Sequence, residues 1–451
     1  MLSLPILITL GAAVVGTTAL LDRDSPRPNV LFVTIDTLRS DHCSSYGYPK
    51  DTTPNLDRLA REGVRFSTVY APMPTTLPSH AAMFTGLRPS SLGVLRNGVT
   101  VGDHVHTLAE VLRSHGYNTA AVVSAFPVHR RFGLAQGFSY YDDAFGQGAP
   151  SGGRRWWEGV EVPSQFSRRA DATRELAVGW LEREGYLDVS PPSRPFFLWV
   201  HLFDPHHPYE PPAEHRARFL EGAQTDKERL LARYDGEVHF ADHELGRLLD
   251  ALRVGLQREN TVVIVAGDHG EGLGDHGYPR HGLLLYEEAV RVPLVFHGPG
   301  RLPRREVDAT AELMDITPTI LGLLGIRPPA AEGRDFAALL LGKGTAHTER
   351  PVLLERRFFE SPEVDGIPVR GRKQAVVLGR YKYVEAPEEG TRELYDLSVD
   401  PAETRNLVEE HPSQARRLAA LLPRSPRPQG PNAAGIPAEA MEHLRALGYV
   451  E

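Results

Sequence analysis

The sequence predicts an α/β fold in which helices sandwich a mostly parallel sheet and a small antiparallel subdomain follows at the C-terminus. From Asn29 onwards, continuous apolar runs of strand length alternate with segments of helical periodicity. Unbroken apolar runs are typical of strands that are buried on both faces of a parallel sheet. Helices between such strands cover the two faces. The length of 451 residues allows one large unit of this kind with an appended part.

The elements are assigned in chain order. The predicted strands of the sheet span residues 30–35, 118–123, 196–202, 261–266 and 293–296. The predicted helices span residues 54–62, 107–115 and 227–252. Two short strands of the antiparallel subdomain are predicted at residues 374–378 and 381–384.

Composition and charge narrow the class of protein. Hydrophobic residues make up 41% and charged residues 24%, which excludes a chain disordered throughout, a collagen-like fibre and a multi-span membrane protein. The net charge of −8 argues against a nucleic-acid-binding surface. The single cysteine, Cys43, excludes an internal disulfide and any site with several thiolates. A metal would therefore be held by His, Asp and Glu.

The N-terminal segment is predicted to direct export. Residues 2–21 carry no charge and are long enough to span a bilayer or to form the apolar part of a signal peptide. We expect residues 1–27 to be a signal peptide or membrane anchor with a linker. The protein would then be periplasmic or extracellular, with membrane association if the anchor is kept. A buried helix of the main fold is the alternative.

Three further parts follow this segment. We expect a large α/β domain over residues 28–342, a small α+β subdomain over residues 343–410 and a Pro- and Arg-rich surface tail over residues 411–451. Residues 144–165 are rich in Gly, Arg and Trp without periodicity, which predicts a long loop beside a pocket.

Metal-binding side chains follow three of the predicted strands. Asp36 follows the first strand, Asp204 and His206 follow the third, and Asp268 and His269 follow the fourth. Because the carboxyl ends of parallel strands lie at one edge of a sheet, these side chains are expected to meet there. Each Asp taken alone is better explained as a turn residue or a helix cap. Their coincidence predicts a metal site.

A fourth segment adds a hydroxyl group. Pro78 is typical of the first turn of a helix, which places Thr76 at the helix N-terminus. Backbone amides and the helix dipole attract anions to that place. A hydroxyl next to a divalent cation can lose its proton and act as a nucleophile. A Thr that merely caps the helix is the alternative.

Several segments, in order, resemble the sulfatase family of the alkaline phosphatase superfamily. The family signature is similar to residues 76–86 (TLPSHAAMFTG). The further matching segments are 36–42 (DTLRSDH), 204–209 (DPHHPY), 267–271 (GDHGE) with His281, 285–294 (LYEEAVRVPL), 394–397 (LYDL) and 400–407 (DPAETRNL). Together they extend over about residues 28–410. The resemblance implies a sulfatase-like fold and a metal-dependent hydrolase that acts on an anionic ester.

The resemblance also implies roles for individual residues. It makes Asp36, Asp268 and His269 metal ligands and Thr76 the nucleophile at the metal. It makes Asp204, His206 and His281 candidates for a second metal or for holding the substrate oxyanion. His80 and Asn97 are candidate substrate contacts, although Asn97 before a glycine is equally explained as a turn residue. For His207 a solvated loop position is as good an explanation, and for His276 it is the better one.

The sequence departs from the sulfatase pattern at the residue that matters most. Sulfatases oxidise a Cys or Ser at this position to formylglycine, and Thr76 cannot yield that aldehyde. His80 replaces the signature Arg, Thr37 replaces the second Asp of an Asp-Asp pair, and His281 stands where a Lys is expected.

These departures favour phosphoester chemistry. A threonine O-sulfate lacks the exit that formylglycine hydrate provides, whereas a threonine O-phosphate is cleared by in-line attack of water. The sequence thus predicts hydrolysis or transfer of a phosphoryl group through Thr76. A sulfuric ester hydrolase without formylglycine is the alternative, and an inactive anion-binding relative is a second one. His among the ligands favours one or two zinc or manganese ions over calcium.

Overall fold

The computed structural model describes residues 27–145, 155–157, 160–162, 166–188, 190–254, 258–344, 349–360, 363–364 and 367–423. The predicted export segment and most of the predicted loop at 144–165 lie outside these residues, as does the part of the predicted tail after residue 423. Among the described residues, no helix has both the length and the apolar composition that a membrane crossing needs.

The described strands and helices are as follows. The strands are β1 (Asn29–Ile35), β2 (Val64–Phe66), β3 (Val69–Tyr70), β4 (Asn118–Val123), β5 (Tyr140–Asp142), β6 (Arg155–Trp157), β7 (Val160–Val162), β8 (Phe196–Leu202), β9 (Thr261–Gly267), β10 (Leu294–His297), β11 (Arg305–Val307), β12 (Ala311–Glu312), β13 (Val352–Glu355), β14 (Glu363–Val364), β15 (Ile367–Pro368), β16 (Gln374–Leu378), β17 (Tyr381–Ala386) and β18 (Thr391–Asp396). The α-helices are α1 (Pro54–Glu62), α2 (Thr76–Thr85), α3 (Pro89–Leu92), α4 (Leu108–Ser114), α5 (Ala170–Arg183), α6 (Ala213–Leu220), α7 (Asp226–Val254), α8 (Glu287–Val290), α9 (Ile316–Leu323), α10 (Ala337–Leu340) and α11 (Pro412–Ala419).

The main sheet confirms the predicted α/β fold. Its eight strands lie in the order β11-β2-β10-β9-β1-β8-β4-β5, and only β10 runs antiparallel to its neighbours. Separate apolar clusters cover the two faces, one around α2 and α9 and the other around α5 and α7. Burial on both faces explains why the central strands are unbroken apolar runs.

Three neighbouring parallel strands bring the predicted metal ligands to one edge. In the register of the sheet, Ile35 of β1 lies between Leu202 of β8 and Gly267 of β9. The residues that follow these positions therefore leave the sheet side by side at its carboxyl edge.

The C-terminal subdomain is a four-stranded antiparallel sheet in the order β13-β16-β17-β18. The prediction of a surface tail after residue 411 is wrong for its first part. Helix α11 buries Ala415 and Leu418 against β16 and β17. The apolar residues of this helix recur at helical spacing, and the prolines and arginines around them hid that pattern.

Candidate active site

Four of the predicted residues meet at the carboxyl edge of the sheet. The Oγ1 atom of Thr76 lies 3.3 Å from Nε2 of His269. That nitrogen lies 3.8 Å from Oδ1 of Asp36 and 3.6 Å from Oδ2 of Asp268. Thr76 is 2% exposed and the other three residues are fully buried. The three ligand atoms lie within 4.8 Å of one another, which is close enough for a single cation to gather them.

The buried carboxylates carry oxygens without partners. Both carboxylate oxygens of Asp36 and the Oδ2 atom of Asp268 accept no hydrogen bond from the described residues. The other oxygen of Asp268 accepts the backbone N–H groups of Thr37 and His269, at 3.0 and 2.7 Å. A buried carboxylate is stable only when it is paired, neutralised or bound to a metal. The donor set of two carboxylates and an imidazole therefore fits a divalent cation.

Burial and neighbouring charges shift the pKa values of the two carboxyls in opposite directions. Burial, with the charge of Asp268, raises the pKa of Asp36 well above its usual value. Burial also acts to raise the pKa of Asp268, but His269, His80 and His201 outweigh it and hold that pKa below its usual value. The neighbouring histidines thus favour the charged form of Asp268, whereas burial favours the neutral form of Asp36.

Helix α2 places the hydroxyl of Thr76 but offers few amides to an anion. Thr76 is its first residue, and Pro78 has no N–H. The N–H of Leu77 is taken by the side-chain oxygen of Asn97 at 2.9 Å, and the N–H of Ser79 donates to the carbonyl of Thr75. These N–H groups therefore bind other protein atoms and are not free for the anion binding that was predicted at this helix N-terminus.

A second group of side chains lines the site from the loops after β8 and β9. The Nδ1 atom of His281 lies 3.1 Å from Oε1 of Glu271, and its ring centroid lies 4.5 Å from that of His269. His206 stacks on Phe203 with its ring 5.1 Å from His281. Burial and His281 lower the pKa of His206 to about 3. Burial also acts to lower the pKa of His281, but Glu271 outweighs it, so that this pKa is raised.

Asp204 does not join this group, which corrects its predicted role as a metal ligand. Its Oδ2 atom accepts the backbone N–H of Ala170 at 2.8 Å and so caps helix α5. Burial raises its pKa to about 6. Burial and the nearby Asp204 raise the pKa of Glu237 to about 8. Asp204 therefore belongs to a pair of carboxyls beside the site.

The two predicted substrate contacts support helix α2 instead. His80 is fully buried, with Nδ1 2.8 Å from the carbonyl of Thr76 and Nε2 3.0 Å from Oγ1 of Thr34. Both ring nitrogens are thus engaged, and the predicted substrate contact of His80 does not fit this position. Asn97 is 8% exposed and uses its oxygen on Leu77, which leaves only its amide nitrogen for a substrate.

Two histidines that the sequence left open make other contacts. His207 is exposed and contacts Tyr209 edge-on. His276 stacks on Tyr286, with Nδ1 2.8 Å from Glu288 and Nε2 3.3 Å from the carbonyl of Glu403. It joins the main domain to the C-terminal subdomain.

His201 and Glu271 also lie at the site, although the sequence did not predict a role for either. His201 lies inside β8, and its Nε2 atom is 3.4 Å from Oδ2 of Asp36. A lone histidine within the apolar run of residues 196–202 was the available signal. Glu271 stands two residues after His269, inside the segment 267–271 that resembles a sulfatase motif, and was not assigned a role. Strand and motif positions gave no indication of which neighbours these side chains would contact.

The family model described as Sulfatase matches residues 28–326, and that of the N-sulphoglucosamine sulphohydrolase C-terminal region matches residues 274–423. An arylsulfatase of Clostridium perfringens is 26% identical and covers 88% of this chain and 94% of its own length.

Solved structures share the fold. One with bound D-glucosamine-2-N,6-O-disulfate is 20% identical, with a TM-score of 0.70 over 88% of this chain and 97% of that chain. The phosphonate monoester hydrolase of Agrobacterium radiobacter is 22% identical, with a TM-score of 0.66 over 93% and 96%. Because the Sulfatase model spans more than half of the residues, the chain belongs to the sulfatase family, and it is a metal-dependent hydrolase of the sulfatase/alkaline phosphatase superfamily.

Proposed function

We propose that this protein hydrolyses a sulfuric ester without formylglycine. The observation that carries the proposal is the set of unpartnered buried carboxylate oxygens of Asp36 and Asp268 beside Thr76. Family membership and the related arylsulfatase support a sulfuric ester over the phosphoester that the sequence analysis favoured. Because Thr76 cannot form formylglycine hydrate, the reaction must avoid a stable sulfo-threonine.

The side chains suggest how such a reaction avoids that intermediate. A cation held by Asp36, Asp268 and His269 would supply positive charge that stabilises the oxyanion. Water attacks sulfur directly, the bond between sulfur and the bridging oxygen breaks, and the alcohol leaves. His281, which Glu271 holds and whose pKa Glu271 raises, donates a proton to the leaving oxygen and is reprotonated as the attacking water loses its protons and becomes a sulfate oxygen. The hydroxyl of Thr76 orients the ester and forms no covalent bond to it.

The geometry of Thr76 favours a second candidate function, the cleavage or transfer of a phosphoester. Its Oγ1 atom lies 3.3 Å from the His269 imidazole, within reach of a group that assists loss of its proton. Attack on phosphorus forms phosphothreonine and expels the alcohol, and water or an acceptor alcohol then takes the phosphoryl group. Phosphothreonine can be cleared by attack of water on phosphorus, whereas sulfo-threonine lacks a comparable route.

Parallel assays distinguish the two candidates. The metal-loaded protein is given an aryl sulfate, an aryl phosphate monoester and a diester. We expect the aryl sulfate to be turned over fastest, and Thr76→Ala to retain part of that activity because Thr76 only orients the ester. Thr75→Ala, one residue earlier, is the matched control and should behave as the wild type.

Opposite results would favour the second candidate. Faster turnover of a phosphoester, complete loss of it in Thr76→Ala and a phosphothreonine detected by mass spectrometry would reject sulfuric ester hydrolysis. If Thr76→Ala retained full activity towards every ester, Thr76 would have no part in either mechanism.

The metal and the location are parts of the same proposal. The imidazole among the ligands suits zinc or manganese better than calcium, and elemental analysis of the purified protein tests this. Export by residues 2–21 is tested by fractionation of cells that produce a tagged full chain. A tagged protein found in the cytosol would reject it.

A further inference from the structure

A histidine without hydrogen-bond partners lies beside Asp36 at the candidate active site. His201 is fully buried in β8, and neither of its ring nitrogens forms a hydrogen bond with any described residue. Its Nε2 atom faces Oδ2 of Asp36 at 3.4 Å, and that oxygen also has no hydrogen-bond partner. Burying an imidazole without a partner costs free energy, and such a group in a folded protein calls for a water or an ion as its partner.

His201 belongs to a second group of possible ligand atoms. The ligand atoms of His80, His201 and Asp268 lie within 4.8 Å of one another, and all three residues are fully buried. The Nδ1 atom of His80 is 3.7 Å from Oδ2 of Asp268, and the two imidazole rings lie 5.1 Å apart and edge-on. Asp268 is common to this group and to the group formed with Asp36 and His269.

We propose that His80, His201 and Asp268 form a second cation position adjoining the first, with Asp268 shared between the two. Two imidazoles and one carboxylate are a donor set for zinc-class ions and a poor one for calcium, which prefers oxygen. The sequence suggested Asp204 as a ligand of a second metal, but in the structure its carboxylate accepts the backbone N–H of Ala170 at the start of helix α5. A second charge here would lie beside Thr76, and this catalytic role rests on the proposed function.

The hydrogen bonds of His80 define how it would bind. At present Nδ1 faces the carbonyl of Thr76 at 2.8 Å and Nε2 faces Oγ1 of Thr34 at 3.0 Å. With the proton on Nε2, that nitrogen donates to Oγ1 of Thr34 and the lone pair of Nδ1 is free for a cation. The carbonyl of Thr76 then loses its contact with the ring. Ion binding is therefore coupled to the first turn of the helix that carries Thr76.

Counting ions tests the proposal. The full-length protein is stripped with a chelator and titrated with zinc by calorimetry, and bound zinc is counted by elemental analysis. We expect two equivalents in the wild type and one in His201→Phe, with His207→Phe as the matched control that retains two. The Nδ1 atoms of the buried His215 and the partly buried His239 lie 2.6 Å apart and could supply zinc ligands of their own, so the count is repeated in His239→Ala.

Each outcome decides the matter. A single equivalent in the wild type, or in His239→Ala, would overturn the proposal, even if His201→Phe failed to fold. Two equivalents that persist in folded His201→Phe would also overturn it. One equivalent with full ester hydrolysis rejects the second position alone, whereas two equivalents without hydrolysis of any sulfuric ester reject the proposed function alone.

Discussion

Two buried polar clusters of this protein are built in opposite ways. At the interface with the C-terminal subdomain, Lys382 is fully buried between Glu287 at 3.1 Å and Glu403 at 2.9 Å. The hydroxyl of Tyr70 also donates to Glu287, at 3.2 Å. At the carboxyl edge of the sheet, buried Asp36 has no cationic side chain other than histidine within ion-pair distance among the described residues.

The difference indicates what each cluster is for. Buried charges that pair with each other stabilise one arrangement of two parts of a chain, and removal of one partner is costly. Buried acceptors that lack partners weaken the folded state unless a ligand binds them. The interface cluster therefore holds the subdomain in place, and the sheet-edge cluster is prepared for a cation.

The largest effect is expected for Asp36→Asn. Loss of the charge should lower kcat/KM on the best ester on the order of 10³-fold, because the cation loses a ligand where the oxyanion develops. The same change should raise the free energy of unfolding of the metal-free protein by about 2 kcal/mol, because burial and Asp268 disfavour the ionised form of Asp36 in the fold, whereas Asn cannot ionise. Steady-state kinetics and urea unfolding in chelator measure the two effects.

The contrast would fail if the metal-free Asp36→Asn protein were less stable than the wild type. That result would mean that the carboxylate is already stabilised by protein groups. Asp250→Asn is the control, since Asp250 is exposed on helix α7 and lies 4.0 Å from the likewise exposed Arg253, so the change should have little effect.

The next effect is expected at the interface, for Lys382→Met. The change leaves Glu403 buried without its cation and Glu287 with only Arg291, 3.7 Å away, and should lower the free energy of unfolding by about 3–5 kcal/mol. The metal content of the folded protein should not change, because none of these groups is a candidate ligand. Unfolding curves and elemental analysis measure both quantities, and loss of metal in folded Lys382→Met would erase the distinction between the two clusters.

Helix and strand positions were predictable because they depend on patterns within single segments. The predicted bounds of α1, β4, β8 and β16 agree with the structure, and the ends of β1, β8 and β9 lie at one edge. Unbroken apolar runs and a Pro at a helix start are local signals, and parallel pairing follows from the alternation of strands and helices. These signals also bring Asp36, Thr76, Asp268 and His269 together.

The remaining site residues depend on contacts between distant segments. Asp204 follows a strand end, as Asp36 does, but the backbone N–H of Ala170 takes its carboxylate. His80 follows Thr76 by one helical turn and therefore points under the helix, towards Thr34. The unpartnered His201 became recognisable only when its neighbours were known. The position of a residue along the chain predicts where its backbone lies. The contacts of its side chain depend on segments that are distant in sequence, so they become known only from the whole fold.

A smaller effect is expected for the carboxyl pair beside the site, in Glu237→Gln. Burial and Asp204 raise the pKa of Glu237 from 4.5 to about 8. The associated stability is complete below pH 4.5 and is lost as the pH rises through 8. Gln cannot ionise, so the variant should be more stable than the wild type by about 2 kcal/mol above pH 8. Unfolding curves between pH 5 and 9 test this, with the exposed Glu214→Gln as control.

The smallest effect is expected for His276→Gln at the edge of the interface. Burial acts to lower the pKa of His276, but the hydrogen bond and charge of Glu288 outweigh it, so that this pKa is raised above 6.5. The stability from this pair is therefore fully present below pH 6.5 and lost as the pH rises through the folded-state pKa. Since the imidazole is one-fifth exposed, we expect the variant to lose about 1 kcal/mol or less at pH 6 and almost nothing at pH 9. An equal loss at both pH values, measured by urea unfolding, would show that stacking on Tyr286 rather than charge holds this edge of the subdomain.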